Sequence, residues 1–273
     1  MSTLREKRKK ERRALRRRKT ADWTVVLILC AIAVCCGGYL IYHHWSVKQR
    51  ELEYEKLRQE ETLSAATETV IAEPETEEST EETVIYCDSV YDFGQLHEQN
   101  QDIYAWIVVP GTQVDYPLLQ SETDNYYLDY NLDHSKGYPG CIYTNQCNRK
   151  DFSDYNTVLY GHNMKNGSMF GQLKQFKQPE TIQKSKYIWI LTPDEVCKYE
   201  IFSCYTAEVG SDTYTLIKGP GKGLVEYAEK MQAKDTLGLT RREFDVKDKV
   251  ITLSTCTGNE ATRYVVQAVK VEP

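Results

Sequence analysis

A run of twenty residues without a charge, Trp23 to Tyr42, constrains this 273-residue chain most, because it is long enough to cross a bilayer as one helix. Residues 1–22 before it hold eleven Lys or Arg against three acids, and residues 43–87 after it hold twelve Glu against four bases. An excess of basic residues marks the cytoplasmic side of a membrane span. The sequence therefore predicts a cytoplasmic tail at 1–22, a single-pass anchor in the cell membrane at 23–42, and everything downstream outside the cell.

A cleaved secretory signal peptide is the alternative interpretation of this run. The apolar part of a signal peptide is normally shorter and ends in small residues at a cleavage site. The segment Cys35 to Tyr39 matches such a site poorly, so an uncleaved anchor is favoured. Residues 43–87 are predicted to form an acidic stalk or linker. Within it, Trp45 to Thr62 is expected to begin as a helix, and Leu63 to Thr83 has almost nothing to bury and is expected to be solvated. Residues 88–273 are left as the folded domain. Apart from the basic tail, no stretch suggests a nucleic-acid partner.

The folded domain alternates short apolar runs with turn residues, a pattern typical of an all-β barrel or sandwich. A helix is expected at Asp88 to Gln99. Two helical insertions are expected as well, one carrying Met169, Leu173 and Phe176 and one carrying Leu224, Ala228 and Met231. The predicted strands number eight: Tyr104–Val109, Val114–Leu119, Gly140–Tyr143, Thr157–Tyr160, Tyr187–Leu191, Val196–Val209 and two strands within Val250–Lys270.

Nine cysteines are present, three of them inside the apolar run. Six cysteines in an extracellular domain would ordinarily suggest disulfides, and Cys141 with Cys147 or Cys197 with Cys204 are the pairs considered. Their spacing shows no regular pairing, and a domain of this size can hold a core without disulfides. The sequence has no C-x-x-C motif and no clustered histidines, so neither a metal site nor a cofactor is predicted.

Cys256 closes the first strand of the final pair and Arg263 opens the second. Side chains alternate along a strand, so Cys256 shares a face with Ser254 and Thr252. For a single cysteine, a small buried hydrophobe is the commoner role. A catalytic thiol needs a proton-transfer partner and a donor for the oxyanion, and the length of the turn leaves the side to which Arg263 points undecided.

His162 is the histidine best placed to be that partner among the five in the sequence. It follows the predicted strand Thr157–Tyr160 and Gly161, and strand ends beside a glycine that allows close approach often carry chemistry. His43 and His44 abut the apolar run, His97 lies on the apolar face of a predicted helix, and His134 falls in a polar loop.

With these residues in place, the sequence resembles the sortases, the cysteine transpeptidases of Gram-positive cell surfaces, and in particular class B. Thr252 to Cys256 (Thr-Leu-Ser-Thr-Cys) is similar to the family signature, and Arg263 follows at the family's spacing. The similarity covers roughly residues 88–273. Four further segments carry the resemblance to class B: Tyr160–Phe170 around the histidine, Trp106–Thr112, Asp115–Pro117 and Asp124–Leu128.

The resemblance implies an eight-stranded closed β-barrel and a sorting reaction. Cys256 would attack the threonine carbonyl within a C-terminal sorting signal of a secreted protein, His162 would protonate the leaving amine, and Arg263 would hold the substrate and the oxyanion. An amine on a lipid-linked peptidoglycan precursor would then resolve the thioacyl enzyme. By match to the family motif, Ser254 and Leu128 would line the substrate groove.

Three other functions remain open at the level of sequence. A membrane-anchored cysteine peptidase would use the same residues with water as the acceptor, and a pilin-polymerising sortase would use a lysine of another subunit. A non-catalytic surface protein that retains the fold is less favoured, because all three reactive residue types are present.

Overall fold

The structure, a computed structural model, describes residues 2–64, 91–184 and 186–272. Helix α1 runs from Ser2 to Ser64. Its segment from Trp23 onward is long and apolar enough to cross a membrane by length and composition. The chain divides into two compact units, Met1–Leu52 and Glu53–Pro273. The helix expected to begin within Trp45 to Thr62 is part of α1. The remainder of the predicted stalk, residues 65–87, lies outside the described residues, as do residues 88–90 at the start of the next expected helix.

The second unit is built on the closed β-barrel that the sequence predicted. The strands follow one another around it in the order β1-β2-β3-β4-β7-β8-β6-β5. The strands are β1 Ile103–Val109, β2 Val114–Leu119, β3 Ile142–Thr144, β4 Asn156–Tyr160, β5 Tyr187–Leu191, β6 Val196–Glu208, β7 Val250–Cys256 and β8 Thr262–Val271.

Short helices connect or cover the strands. Helix α2, Phe93–Gln99, begins where the Asp92 side chain accepts hydrogen bonds from the backbone N–H groups of Gly94 and Gln95, which satisfies donors that a helix start leaves unpaired. Helix α5 lays Leu224, Ala228 and Met231 against the outside of the barrel, as predicted. The other helices are α3 Tyr126–Asp129, α4 Pro179–Lys184 and two 3-10 helices, Leu173–Lys177 and Asp212–Tyr214.

The first predicted insertion is less helical than its apolar spacing indicated. Met169 adopts φ +54°, the left-handed region, and a 3-10 helix begins at Leu173. Gly171 is packed so closely on the Met164 carbonyl oxygen that a Cβ there would lie 2.5 Å from it. The chain turns tightly at these positions, so Met169, Leu173 and Phe176 reach the core from a bent loop rather than from one helix.

Two of the strand pairings are parallel, β2 with β3 and β4 with β7. The second joins strands about ninety residues apart, with Asn156 opposite Val250 and Tyr160 opposite Ser254. Strands in a parallel pair end at the same edge of the sheet. The loop after β4 and the last residue of β7 therefore meet at one rim of the barrel.

The inward and outward faces of β7 have different neighbours. Ile251 and Leu253 belong to the core that fills the barrel, together with Trp106. Val250 packs outward against the cluster that includes residues of α5. Because side chains alternate, Thr252, Ser254 and Cys256 lie on the outward face.

Candidate active site

Cys256 and Arg263 lie directly opposite each other on neighbouring antiparallel strands. Residues opposite each other in such a pair point to the same face, with Cβ atoms about 4.5–5.5 Å apart. The structure thus resolves the register that the sequence left open, since thiol and guanidinium share the outward face at the rim. Both side chains are partly exposed, so the rim is open to a substrate.

The guanidinium of Arg263 is held by the main chain of its own turn. Its Nη1 donates to the carbonyl oxygens of Glu260, at 3.0 Å, and Thr262, at 2.9 Å. A guanidinium has five N–H donors in a fixed plane. N–H donors of the Arg263 guanidinium therefore remain beyond these two hydrogen bonds. Both acceptors are main-chain carbonyls and not carboxylates.

The loop that carries His162 is hydrogen-bonded to the cysteine strand on both sides of the histidine. Gly161 donates its N–H to the Ser254 carbonyl at 3.2 Å, and the Thr255 hydroxyl donates to the Gly161 carbonyl at 2.8 Å. On the other side, the Asn163 side chain donates to the Cys256 carbonyl oxygen at 2.7 Å. His162 is thereby fixed at the same rim as Cys256 and Arg263.

The His162 ring is oriented by a carbonyl from a different part of the chain. Its Nε2 lies 2.7 Å from the carbonyl oxygen of Leu128, the third residue of α3. A carbonyl only accepts, so Nε2 carries the proton in this bond and Nδ1 is the nitrogen able to exchange one. The ring of Tyr138 packs beside it, 4.9 Å away between centroids.

Ser254 and Leu128, the two residues expected to line the substrate groove, differ in burial. Ser254 is buried, and its Oγ pairs with the hydroxyl of Tyr214 at 2.9 Å. Leu128 has a side chain that is 37% exposed, while its carbonyl holds His162. Ser254 thus lies beneath the hydroxyl of Tyr214, and Leu128 contacts the site through its main-chain carbonyl.

Tyr160 and Tyr214 border Ser254, and Tyr143 lies one strand further along the sheet, opposite Tyr160. Tyr160 lies opposite both Ser254 and Tyr143 in the sheet, and its ring stacks near that of Tyr214, with 6.3 Å between centroids and 19° between planes. Burial raises the pKa of Tyr214, although its bond with Ser254 and the charge of Arg263 lower it in part. Burial also raises the pKa of Tyr143 well above its usual value, so both hydroxyls are neutral at physiological pH.

Two residues of the site, Asn163 and Tyr214, were missed as functional residues at the sequence level. The signal for Asn163 was its position next to His162, but its partner is the main chain of a residue 93 positions away. Gly161 does allow a close approach, as expected, but the group that approaches is the ring of Phe170, 2.8 Å from where a Cβ would lie.

The other histidines and cysteines lie apart from this cluster or play other roles. His97 is exposed and its Nε2 pairs with the carbonyl of Ile103 at 2.7 Å, and His134 is exposed as expected. Neither of the two disulfides considered is formed in the described structure. Among the described residues, no group of three or more His, Cys, Asp or Glu side chains is arranged to hold a metal ion.

The fold and the site define a class: closed eight-stranded barrels that present a cysteine, a histidine and an arginine at one rim. Residues 107–271 match the model of the sortase domain family. The chain belongs to the sortase family, whose members are cysteine transpeptidases.

The relatives that the chain resembles are class B sortases. It is 34% identical over 172 residues to sortase B of Listeria monocytogenes, covering 59% of this chain and 65% of that protein, just under two thirds of its length. It is 25% identical over 251 residues to sortase B of Staphylococcus aureus, covering 91% and 96%. A solved Staphylococcus aureus sortase B–substrate complex matches with a TM-score of 0.68 at 25% identity, over 82% of this chain and 97% of that one. The class B resemblance drawn from the motifs is confirmed.

Proposed function

We propose that this chain is a membrane-anchored cysteine transpeptidase that cleaves a C-terminal sorting signal of secreted proteins and joins them to an amine of the lipid-linked peptidoglycan precursor. The observation that carries the proposal is the pairing of Cys256 with Arg263 at the rim to which Asn163 ties the histidine loop. Membership of the sortase family supports the same chemistry.

In the acylation step, the thiolate of Cys256 attacks the carbonyl carbon of a threonine in the signal. The resulting oxyanion receives hydrogen bonds from Arg263, a fixed planar cation suited to that task. His162, protonated on both nitrogens, gives its Nδ1 proton to the departing amine, the C–N bond breaks and a thioester remains. Throughout, the Leu128 carbonyl keeps the ring in place by accepting from Nε2.

In the second step, the amine of the acceptor attacks the thioester carbonyl. The neutral His162 takes a proton from that amine at Nδ1, a new amide forms, and the thiolate of Cys256 leaves. Over the two steps one amide bond is broken and one is formed, and the proton that His162 gives to the leaving amine is recovered from the attacking amine. Ser254 and Leu128 are proposed to contact the signal peptide, Ser254 together with the Tyr214 hydroxyl that covers it.

The membrane topology belongs to the same proposal. The eleven basic residues before the apolar run favour a cytoplasmic N-terminus, with the barrel outside the cell. That arrangement keeps the enzyme near newly exported proteins and near precursors carried on lipid.

The proposal is tested by incubating the chain, purified in detergent, with a library of short peptides that contain proline and threonine, in the presence of triglycine or of peptides with a side-chain amine. Amide products formed in preference to free acid are expected. Cys256→Ala is expected to abolish both products. Free acid as the sole product at every amine concentration would favour the peptidase, and turnover by Cys256→Ala would refute the assignment of the nucleophile.

A further inference from the structure

We propose that the ion pair between Lys218 and Asp154 positions Tyr214 over Ser254 and thereby sets the affinity of the groove for the sorting peptide. The inference rests on the proposed function, because it assumes that a peptide lies on the outward face beside Cys256. Residues 212–218, which carry Tyr214, are called the Tyr214 arm here.

Tyr214 is the residue of the arm that contacts the site. Its hydroxyl bonds Ser254 Oγ at 2.9 Å and its ring lies over that of Tyr160. Ser254 is two residues before Cys256 on the same face of β7. A peptide whose reacting carbonyl is at Cys256 and that runs along β7 therefore meets Tyr214, and a shift of this ring changes the width of the groove.

The arm is joined to the start of β4 through its main chain. Tyr155 donates its N–H to the carbonyl of Ile217 at 2.8 Å, and the Asn156 side chain donates to that of Thr215 at 2.9 Å. These bonds, and the Tyr227 hydroxyl that donates to the carbonyl of Thr213 at 2.7 Å, hold the start and the middle of the arm. Its far end is held by the contacts of the last residue. Lys218 is that far end.

Lys218 reaches a carboxylate that is completely buried. Its Nζ lies 2.8 Å from Asp154 Oδ2, and the Asp154 side chain has no exposed surface, against 44% for Lys218. Nζ also donates to the carbonyl of Cys147. A buried carboxylate is costly unless a cation and hydrogen bonds compensate it, so Asp154 strongly favours the conformation in which Lys218 stays in contact.

The surroundings of Asp154 increase this dependence. Oδ2 also accepts from the Asn148 side chain at 2.9 Å and the Arg149 N–H at 2.8 Å, whereas Oδ1 has no hydrogen-bond partner among the described residues. The nearest guanidinium nitrogen, Arg149 Nε, is 3.9 Å from Oδ1 on a side chain that is 62% exposed. Burial alone would raise the pKa of Asp154, but the bonds from Lys218, Asn148 and Arg149 hold it below its usual value.

A second ion pair on the same arm provides a matched comparison. Asp212 contacts Lys230 at 2.5 Å and Lys234 at 2.6 Å, but Asp212 is 36% exposed and Lys230 is 65% exposed. Ion pairs between exposed groups contribute little. Lys218 belongs to the arm and pairs with Asp154 outside it, whereas Lys230 pairs with Asp212 of the arm. Different consequences are expected when each lysine is replaced, because Lys218 compensates a buried charge and Lys230 does not.

The test compares Lys218→Met, Lys218→Arg and the control Lys230→Met in the detergent-purified chain. Each is assayed for kcat and KM with a sorting peptide, for alkylation of Cys256 by iodoacetamide, and for chymotrypsin cleavage after Tyr214. Because Tyr214 contacts peptide in ground and transition state alike, Lys218→Met should raise KM roughly 10-fold with kcat little changed. It should also speed cleavage after Tyr214 while leaving the alkylation rate unchanged.

Lys218→Arg should restore most of the affinity, and Lys230→Met should behave as the wild type. If Lys218→Met does not fold, the double variant Asp154→Asn with Lys218→Met removes both charges and is measured instead, with the same rise in KM expected. A wild-type KM and cleavage rate in the folded variant would overturn the inference, as would an equal effect of Lys230→Met. If the wild-type chain processes no peptide, the proposed function fails, and the cleavage rates alone then decide whether Lys218 holds the arm.

Discussion

Main-chain carbonyls organise the reactive residues of this site. Cys256 offers its carbonyl to the Asn163 side chain, and Leu128 offers its carbonyl to the His162 ring. Arg263 is itself held by two carbonyls of its turn. Such bonds fix position without placing a competing charge beside the thiol or the imidazole.

Replacing Asn163 by alanine removes the side-chain bond between the histidine loop and the cysteine strand. Since small displacements of reacting groups are costly to rate, kcat should fall roughly 10- to 100-fold with little change in KM. Steady-state kinetics on a sorting peptide measures this. Lys165→Ala, an exposed change in the same loop, should leave kcat unaltered.

Asn163→Asp separates a positioning role from simple loss of packing. It keeps the size of the side chain but places an acceptor opposite the Cys256 carbonyl, so it should be at least as damaging as alanine. A kcat near the wild-type value in both variants would show that this bond does not position the catalytic groups.

At this scale the sequence predicted as site residues Cys256, His162 and Arg263, each of which carries a reactive or charged group and lies in a motif. Asn163 and Tyr214 were not recognised, because what they do depends on partners 93 and 40 residues away. No local pattern encodes such contacts. They follow from which strands become neighbours.

At the scale of elements, the parallel pairing of β4 with β7 brings the histidine loop to the cysteine. The strands themselves were predictable from their apolar runs and turns, and most observed bounds agree closely with those predicted. The pairing was not derivable from the residues alone, since two β-strands, two α-helices and two 3-10 helices intervene between these neighbours.

The last part of α1 packs as a structural element of the barrel unit. Tyr54 and Leu57 are buried in the barrel core cluster, and the Tyr54 ring meets that of Tyr116 edge-on at 5.2 Å. Arg58 donates to the Asp115 carbonyl at 2.9 Å. Tyr54 and Leu57 are three residues apart and therefore lie on one face of the helix. The sequence predicted a helix here but not that this face is buried.

Leu57→Ala should therefore destabilise the barrel by about 2–5 kcal/mol, the usual cost of truncating a buried leucine. Thermal unfolding followed by tryptophan fluorescence reports it, because Trp106 and Trp189 are buried in the barrel. Leu52→Ala in the same helix, at a side chain 40% exposed, is the control. Equal melting temperatures for the two variants would show that the helix contributes nothing to the barrel.

At the scale of the whole molecule, the chain combines a helix able to span a bilayer with a barrel whose rim gathers a thiol, an imidazole and a guanidinium. The proposed reaction requires these three groups to act in sequence on one acyl group. Its central chemical claim is that the acyl group passes through a thioester on Cys256.

Intact mass spectrometry of the chain, incubated with a sorting peptide and no added amine, tests that claim most directly. We expect a mass increase equal to that of the peptide fragment that ends in threonine. Digestion should locate this adduct on Cys256, and hydroxylamine should release it as a hydroxamate. Product formation by the wild type with no such adduct under rapid acid quench, or the same adduct on Cys256→Ala, would contradict it.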